Sequence, residues 1–285
     1  MLRILVDVFG ARLELAGDSE EAIAAVRAGL PSSRIAGDVE PDVTCRLDQV
    51  GHDHLVRFEG GEGGEARAPF RGTLRAASQE ALSRLHFEIA VLARSAVFLH
   101  AAAVVVADRL FLFPGRSGHG KSTMAAALVA AGGTYFSDEY APVDSEGRVW
   151  PYRKPASLRP ESAALLPAVA AGSGAEPAPR SCDFVLGARF ATGAEWRPRR
   201  LSAGEAALLL IDNAVPARLR PRDTAAAIAR LLDARPVVLV GDRPGFERFV
   251  PEVLALAAGA GAGERRELEQ LGSGALATCR DSDRG

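Results

Sequence analysis

The segment with the clearest chemistry spans residues 115–122 and reads GRSGHGKS. It satisfies the pattern G-x-x-x-x-G-K-[ST], in which the backbone N–H groups of a glycine-rich loop surround phosphate oxygens. A strand predicted at Leu110–Phe113 precedes the loop, and a helix predicted at Ser122–Ala131 follows it with its partly positive N-terminus. In this pattern the lysine reaches the β- and γ-phosphates and the serine ligates Mg²⁺. We therefore predict a nucleotide site formed by Gly115, Arg116, Ser117, Gly118, His119, Gly120, Lys121, Ser122 and Thr123.

Lysine is rare in this chain. Only Lys121 and Lys154 are lysines, so the other 32 of the 34 basic residues are arginine. Because lysine is so rare in this chain, a lysine at the lysine position of a phosphate-binding motif is stronger evidence for that motif than usual. His119 also lies in the loop, where side chains usually point outwards, and we expect it to face solvent or a lid.

Two adjacent carboxylates, Asp138 and Glu139, follow a strand predicted at Thr134–Ser137. A phosphate-binding loop needs acidic side chains nearby, because they hold the metal ion and position the nucleophile. The alternative is that this pair only ends a strand, but two neighbouring carboxylates repel one another without a cation. We therefore predict that Asp138, Glu139 and Ser122 are the metal ligands.

His100 begins the apolar strand that precedes the loop strand. A single histidine on an apolar strand is more often a buried core residue than a functional one. Its position alone therefore favours the structural interpretation.

The N-terminal part reads as a small α+β unit. Extended runs at Leu2–Phe9 and Arg12–Leu15 predict a hairpin. Asp18 and Glu21 have the spacing of a capping box, which predicts that a helix begins there.

Later elements also have recognisable starts. Ser78 precedes leucines at helical spacing, which predicts a helix from that residue. Ser202 with Glu205 and, further on, Asp223 predict the starts of two more helices. An apolar strand is predicted at Pro236–Val240.

Strands alternate with helices from about residue 90 onwards, which is typical of a mainly parallel α/β sheet. Residues 160–181 are rich in Ala, Pro, Gly and Ser and predict a mobile excursion. The predicted fold class is therefore α/β in three parts. These are a small α+β N-terminal domain at 1–90, a P-loop domain at 91–258 and a flexible C-terminal tail at 259–285.

Composition excludes several classes of protein. The 34 basic and 36 acidic residues give a net charge of -2, a balance that does not predict a broad positive surface for nucleic acid or an anionic membrane. The most apolar stretch, Ala96–Phe113, is interrupted by charged residues, and we expect neither a membrane span nor a signal peptide. Three well-separated cysteines, Cys45, Cys182 and Cys279, argue against a disulfide scaffold or zinc ribbon. We predict a cytoplasmic protein.

Taken together, these motifs resemble the C-terminal catalytic domain of the HPr kinase/phosphorylase family and its uncharacterised relatives. The shared order is a histidine opening a strand (His100), a loop ending in Gly120-Lys121-Ser122, a helix closed by Gly132-Gly133, and the acidic pair. The resemblance covers about 40 residues closely and about 150 loosely. The segments SDEYAPVD and PYRKPASLRP also look like relatives encoded beside peptide-modification genes, some of which phosphorylate precursor peptides.

The resemblance implies an ATP- and Mg²⁺-dependent kinase that transfers the γ-phosphoryl group to a serine-type hydroxyl of a peptide, protein or small molecule. It implies that Asp138 accepts the hydroxyl proton and that Lys121 binds the phosphates. It also implies that Glu139 and Ser122 hold Mg²⁺ and that His100 orients the acidic residue. Since the family's enzymes assemble into oligomers, a homo-oligomer is an expectation too.

The chain departs from the family pattern in three respects. Arg116 stands where the typical enzyme has an acidic residue, and Glu139 stands where it has a second aspartate. The glycine-rich signature associated with phosphorylase activity has no clear counterpart. The nearest loose candidates are Arg189, Arg197, Arg199 and Arg200. The resemblance is therefore carried over to the kinase reaction, and not to the phosphorylase reaction or to HPr as the acceptor.

Two other functions fit the same residues. An ATP-binding regulatory switch or scaffold predicts tight nucleotide binding with little catalysis, and a small-molecule kinase, for example of free serine, predicts transfer without dependence on peptide sequence. A basic segment could bind the acceptor or clamp phosphates, or could be a solvated loop. Its residues are Trp150, Tyr152, Arg153, Lys154 and Arg159.

Overall fold

The computed structural model describes residues 1–31, 34–35, 39–61, 68–116, 118–152, 154 and 177–259. Its strands are β1 (Leu2–Val8), β2 (Ala11–Gly17), β3 (Arg34–Ile35), β4 (Val43–Val50), β5 (Asp53–Gly60), β6 (Phe70–Gly72), β7 (Ala96–Val106), β8 (Arg109–Pro114), β9 (Thr134–Ser137), β10 (Tyr140–Asp144), β11 (Phe184–Phe190), β12 (Arg199–Arg200) and β13 (Val237–Arg243). Its helices are α1 (Glu20–Gly29), α2 (Leu74–Leu92), α3 (Lys121–Ala130), α4 (Ala203–Asp212), α5 (Pro221–Asp233) and α6 (Phe246–Gly259). Within these ranges, every helix is too short or too polar to cross a membrane.

The first sheet has the strand order β3-β1-β2-β4-β5-β6, with β2 and β4 parallel. β1 and β2 are joined through Phe9 and Gly10, which both have positive φ angles, of 53° and 81°. This is the geometry of a tight hairpin turn whose twist matches that of the strands. The predicted hairpin is confirmed. Helices α1 and α2 pack against this sheet through side chains that include Ile23 and Leu85.

The second sheet has the order β10-β7-β8-β11-β13-β12, and β9 also pairs with β7. Helices α4 and α5 pack on one face through Leu210 and Ile228. Helices α3 and α6 pack on the other face through Met124 and Phe249. Because both faces are covered, β7 reads as an almost continuous apolar run, AVFLHAAAVVV. The chain is a mixed α/β protein with two mixed sheets.

The prediction that the second sheet is mainly parallel is wrong. β11 runs parallel to β8 and to β13, whereas β7 runs antiparallel to β8, β9 and β10. β7 and β8 are joined through Ala107 and Asp108, which both have positive φ angles. A connection this short fits only antiparallel neighbours, and the apolar sequence of β7 gives no sign of strand direction.

Strands β9 and β10 act as one interrupted edge strand along β7. Ser137 of β9 is opposite Ala103, and Tyr140 of β10 is opposite His100. Asp138 and Glu139 lie in a bend between the two ladders. The predicted strand Thr134–Ser137 is confirmed, and β10 is an addition to the prediction.

Helix α1 is capped by Ser19 rather than by Asp18. The Ser19 hydroxyl accepts a hydrogen bond from the backbone N–H of Ala22 at 3.3 Å. The Asp18 carboxylate accepts from the backbone N–H of Gln49 at 2.7 Å. The predicted cap is wrong because the first sheet uses that carboxylate.

Two other helices begin earlier than predicted. Thr73 caps α2, and Ser78 lies buried inside it. Helix α5 begins at Pro221, whose fixed φ suits the first helical position, with Asp223 in the first turn. The capping box of Ser202 and Glu205 at the start of α4 is confirmed.

The predicted domain limits at 1–90, 91–258 and 259–285 stay predictions. The core beneath the first sheet also contains Phe98, Tyr140 and Tyr152 from beyond residue 90. Most of the predicted excursion at 160–181 and nearly all of the predicted tail lie outside the described residues.

Candidate functional site

The glycine-rich loop and the acidic pair lie on opposite edges of β7, near Ala101. On one edge, β8 stays paired as far as Pro114, opposite Ala101, and then leaves as the glycine-rich loop. On the other edge, the ladder is interrupted at Asp138 and Glu139. Neighbouring strands lie about 4.8 Å apart, so the loop and the acidic bend are about two strand spacings apart. Side chains from the two edges can therefore meet over β7.

The loop has glycine where its backbone requires it. Gly118 and Gly120 have φ angles of 87° and 77°, a region that residues with a Cβ rarely adopt. Gly120 also precedes α3 as its N-cap, and the first turn of α3 contains no acidic side chain. The partial positive charge of this helix end therefore faces the loop, and no residue of its own first turn neutralises it. Ser117 lies outside the described residues.

The side chain of Lys121 turns back over the loop. Its Nζ donates hydrogen bonds to the carbonyl oxygens of Gly115 at 2.7 Å and Arg116 at 3.0 Å. Burial lowers the pKa of Lys121 to about 8, and the charges of Glu139 and Asp138 oppose this shift. The amine thus lies within electrostatic reach of the acidic pair, and its carbonyl partners are replaceable by phosphate oxygens.

Asp138 is a buried carboxylate, 3% exposed. Its Oδ1 accepts a 2.9 Å hydrogen bond from the hydroxyl of Tyr135. Burial, together with the neighbouring Asp138, raises the pKa of Tyr135 well above its usual value, so this hydroxyl stays a donor. The Ser137 hydroxyl shapes the bend by accepting from the backbone N–H groups of Tyr140 at 3.0 Å and Glu139 at 3.3 Å. The sequence analysis did not single out Tyr135, which orients one oxygen of Asp138.

Glu139 forms an ion pair with Lys154. The Lys154 side chain is 8% exposed and that of Glu139 is 36% exposed, so the lysine approaches from the protein side. Any cation that Glu139 holds therefore has to compete with Lys154. The sequence placed Lys154 only in a general basic segment, and the rarity of lysine was the available signal.

The other residues of that segment are used elsewhere or are not described. Trp150 donates from Nε1 to Asp144 at 2.8 Å. The Tyr152 hydroxyl is 2.7 Å from Nδ1 of the buried His86. Arg153 and Arg159 lie outside the described residues.

The metal ligand set was tested against the side chains present. Across the ranges described, no three His, Cys, Asp or Glu side chains form a cluster that could hold a metal ion. Mg²⁺ commonly takes one or two carboxylates and completes its octahedron with water and substrate phosphates. Asp138 and Glu139 supply that number of carboxylates, and the set of Asp138, Glu139 and Ser122 stays a prediction. Ser122 and Thr123 follow Lys121 in the first turn of α3 and are half-buried.

His100 is half-buried beside the loop. Its backbone carbonyl accepts a 3.3 Å hydrogen bond from the N–H of Gly115, which ties β7 to the first loop glycine. Burial, followed by the positive charge of Lys121, lowers the pKa of His100, and Glu139 opposes this. The ring contacts Tyr140 at a centroid distance of 6.2 Å. The predicted role of His100 in orienting the acidic residue stays a prediction.

His119 folds back towards the start of the loop. Its Nδ1 lies 3.2 Å from where a Cβ on Gly115 would stand. With Arg116 it lines a cavity of about 1010 Å³, whose far wall includes residues 213–215 and Phe87 of α2. This cavity adjoins the loop and is large enough for an organic acceptor or a peptide segment.

Of the four arginines proposed from sequence, only Arg189 lines the cavity beside the loop. Arg189, Arg197 and Arg199 are exposed and form ion pairs with Asp242, Glu195 and Glu205 respectively. Arg200 is also exposed. The arginine that touches the loop is Arg243, which the sequence analysis missed.

Among known protein families, no family model matches this chain, and no curated protein matches it significantly.

Proposed function

We propose that this protein is an ATP- and Mg²⁺-dependent phosphotransferase that moves the γ-phosphoryl group to a serine-type hydroxyl of a peptide, protein or small molecule. The observation that carries the proposal is the juxtaposition of two groups across β7. On one edge is a glycine-rich loop ending in Lys121 and a helix N-terminus, and on the other is the buried carboxylate of Asp138. The loop suits a phosphate chain, and the carboxylate suits a base beside it.

In this proposal Asp138 accepts the proton of the acceptor hydroxyl. The hydroxyl oxygen forms a bond to the γ-phosphorus as the bond from that phosphorus to the bridging oxygen breaks, and ADP leaves. Lys121 and the loop N–H groups hold the phosphate oxygens, so that most of the catalysis is positioning and neutralisation of charge. Mg²⁺, when bound by Ser122, Glu139 and Asp138, supplies further neutralisation of phosphate charge. Tyr135 keeps the base in place through its 2.9 Å hydrogen bond.

An ATP-binding regulatory switch with little catalysis is the alternative that one observation favours. Both carboxylates already have protein partners, Tyr135 for Asp138 and Lys154 for Glu139. A site held in this way could bind a nucleotide and change conformation without transfer. A small-molecule kinase, for example of free serine, is a further alternative. In it, the cavity beside Arg116 and His119 holds the acceptor. Self-association and a cytoplasmic location remain predictions.

Calorimetric titration with Mg²⁺–ATP, followed by an assay for ADP release, separates these alternatives. A phosphotransferase binds ATP and releases ADP faster when an acceptor is added. A switch binds ATP and releases ADP at the same low rate with every acceptor. The absence of nucleotide binding would contradict both.

A further inference from the structure

Arg243 is a buried positive charge that has no negative partner among the residues that the structure describes. It ends β13 and is 5% exposed, the one arginine in the buried class across the ranges described. Its Nη1 donates to the carbonyl oxygen of Pro244 at 2.9 Å, and its Nη2 donates to that of His119 at 3.3 Å. Within the described part of the chain no carboxylate lies within ion-pair distance of Arg243. A guanidinium presents five N–H donors, so most of its hydrogen-bonding capacity is left over.

The surroundings of Arg243 in the described part of the chain are aromatic rings rather than an anion. Its Cζ lies 5.5 Å from the ring centroid of Phe190 and 5.8 Å from that of Phe249, so the guanidinium is sandwiched against aromatic rings. Burial lowers the pKa of Arg243, and no neighbouring charge opposes this. Asp138 and Glu139, in contrast, act on Lys121. A buried charge of this kind is costly unless an anion joins it.

The guanidinium lies against the glycine-rich loop. A Cβ built on Gly120 would stand 2.6 Å from Nη2 of Arg243, so the arginine touches the residue that caps α3. Three positive groups therefore converge: the N-terminus of α3, Lys121 and Arg243. No acidic side chain lies in the first turn of α3. The acidic pair lies on the far side of β7, whereas Arg243 comes from the opposite direction, through β11 and β13.

We propose that Arg243 binds the phosphate chain of the nucleotide on the β13 side of the loop, where it contacts the phosphates that are not transferred. This inference rests on the proposed function and assigns different parts of the substrates to the two sides of the loop. The acidic side of the loop holds the metal ion and the acceptor hydroxyl, and the arginine side holds the α- and β-phosphates. A planar guanidinium suits phosphate oxygens because it can donate two parallel hydrogen bonds.

The test measures binding of pyrophosphate, ADP and adenosine to the full chain, without a metal ion and without turnover. The variants are Arg243→Met, which keeps the apolar stem between the rings, and Arg243→Lys, which keeps the charge. Arg199→Met is the matched control, because Arg199 is exposed on β12, which pairs with β13, and lies outside the cavity beside the loop. We expect Arg243→Met to weaken pyrophosphate and ADP by about tenfold or more, with adenosine unchanged. Arg243→Lys should be intermediate, and Arg199→Met should bind within about twofold of wild type.

Thermal unfolding distinguishes a phosphate-binding role of Arg243 from a purely structural role. If Arg243 serves the phosphate chain, the ligand-free Arg243→Met protein melts at the wild-type temperature or higher, and pyrophosphate stabilises it less than wild type. If Arg243 only supports the loop, the ligand-free variant melts lower and binds all three probes more weakly, and the inference is overturned. Equal binding of pyrophosphate by Arg243→Met and wild type would overturn it as well. Failure of wild type to bind ADP or pyrophosphate would instead contradict the proposed function, and the inference would fall with it.

Discussion

The hydroxyl of Tyr135 donates a 2.9 Å hydrogen bond to Oδ1 of Asp138, three residues further along the chain. Both side chains are buried, and the bond bridges the point where the edge strand bends away from β7. One oxygen of the carboxylate is thus fixed. The second oxygen accepts no hydrogen bond from the residues that the structure describes, which leaves it available to a substrate proton.

From this relationship we predict that Asp138→Asn lowers phosphoryl transfer by about 100-fold or more, because an amide cannot accept the proton as a base does. The affinity for ATP should change by about threefold or less, since the loop and Lys121 hold the phosphates. Steady-state rates and calorimetric affinities measured on the same preparation check both numbers.

Tyr135→Phe is a milder change at the same base and should have a smaller effect than Asp138→Asn. It removes the hydrogen bond and leaves the base, so the rate should fall by about tenfold with a small change in KM. A rate for Asp138→Asn close to that of wild type would contradict the assignment of the base.

We predict that Gly120→Ala damages the loop more than Gly118→Ala does. Both glycines have positive φ, so an added Cβ strains each backbone by about 1–2 kcal/mol. Only at Gly120 does the new Cβ also meet Arg243, at 2.6 Å, whereas nothing lies within 4 Å at Gly118. Affinity for ADP should therefore fall about tenfold further in Gly120→Ala than in Gly118→Ala.

The double variant Gly120→Ala with Arg243→Met tests the cause of that difference. Removal of the guanidinium should recover part of the thermal stability that Gly120→Ala loses, and a melting temperature no higher than that of Gly120→Ala would count against the contact.

Acidification should destabilise the protein through His86. Its Nδ1 is 2.7 Å from the Tyr152 hydroxyl, and burial, with help from Lys154, lowers the pKa of His86 to about 4. The unfolded chain therefore binds a proton at this histidine before the folded chain does. Stability is then lost as the pH falls from 6.5 towards 4, by about 3 kcal/mol for this group.

His86→Gln is the matched control, because glutamine can pair with Tyr152 but does not titrate. Chemical unfolding at pH 7 and pH 4.5 should show a smaller loss of unfolding free energy in His86→Gln than in wild type. Equal losses would mean that His86 does not carry the effect.

Lys154→Met should reduce the Mg²⁺ concentration needed to support ADP binding. Lys154 pairs with Glu139, so it competes with a cation for the same carboxylate. The change should be about threefold, since Glu139 is partly exposed and solvent screens the pair. Lys154→Arg keeps the ion pair and should behave as wild type in the same Mg²⁺ titration. No difference between the two variants would remove Lys154 from the metal site.

The local parts of this site were readable in the sequence. The phosphate-loop motif, the strand β9 and the capping box of α4 each depend on residues within one short segment, so spacing alone identifies them. The direction of β7 was not readable, because a strand buried on both faces has no alternation and looks the same in parallel and antiparallel sheets.

The contact of Arg243 with the loop could not be predicted from the sequence, for a different reason. The contact of Arg243 with the carbonyl of His119 joins residues 124 positions apart. It depends on β13 lying two strands from β8, which no local pattern specifies. Tyr135 was missed and Lys154 was placed only in a general basic segment, because their roles follow from the bend at Asp138 and Glu139 rather than from any motif.

The most direct test of the proposed function is transfer itself. Purified protein and its Lys121→Ala variant are incubated with Mg²⁺–ATP and two acceptors, free serine and a pool of serine-containing peptides, and the products are weighed by mass spectrometry. We predict a gain of about 80 Da on a hydroxyl acceptor, present with wild type and absent with Lys121→Ala. Equal products from both proteins, or no binding of ATP by wild type, would contradict it.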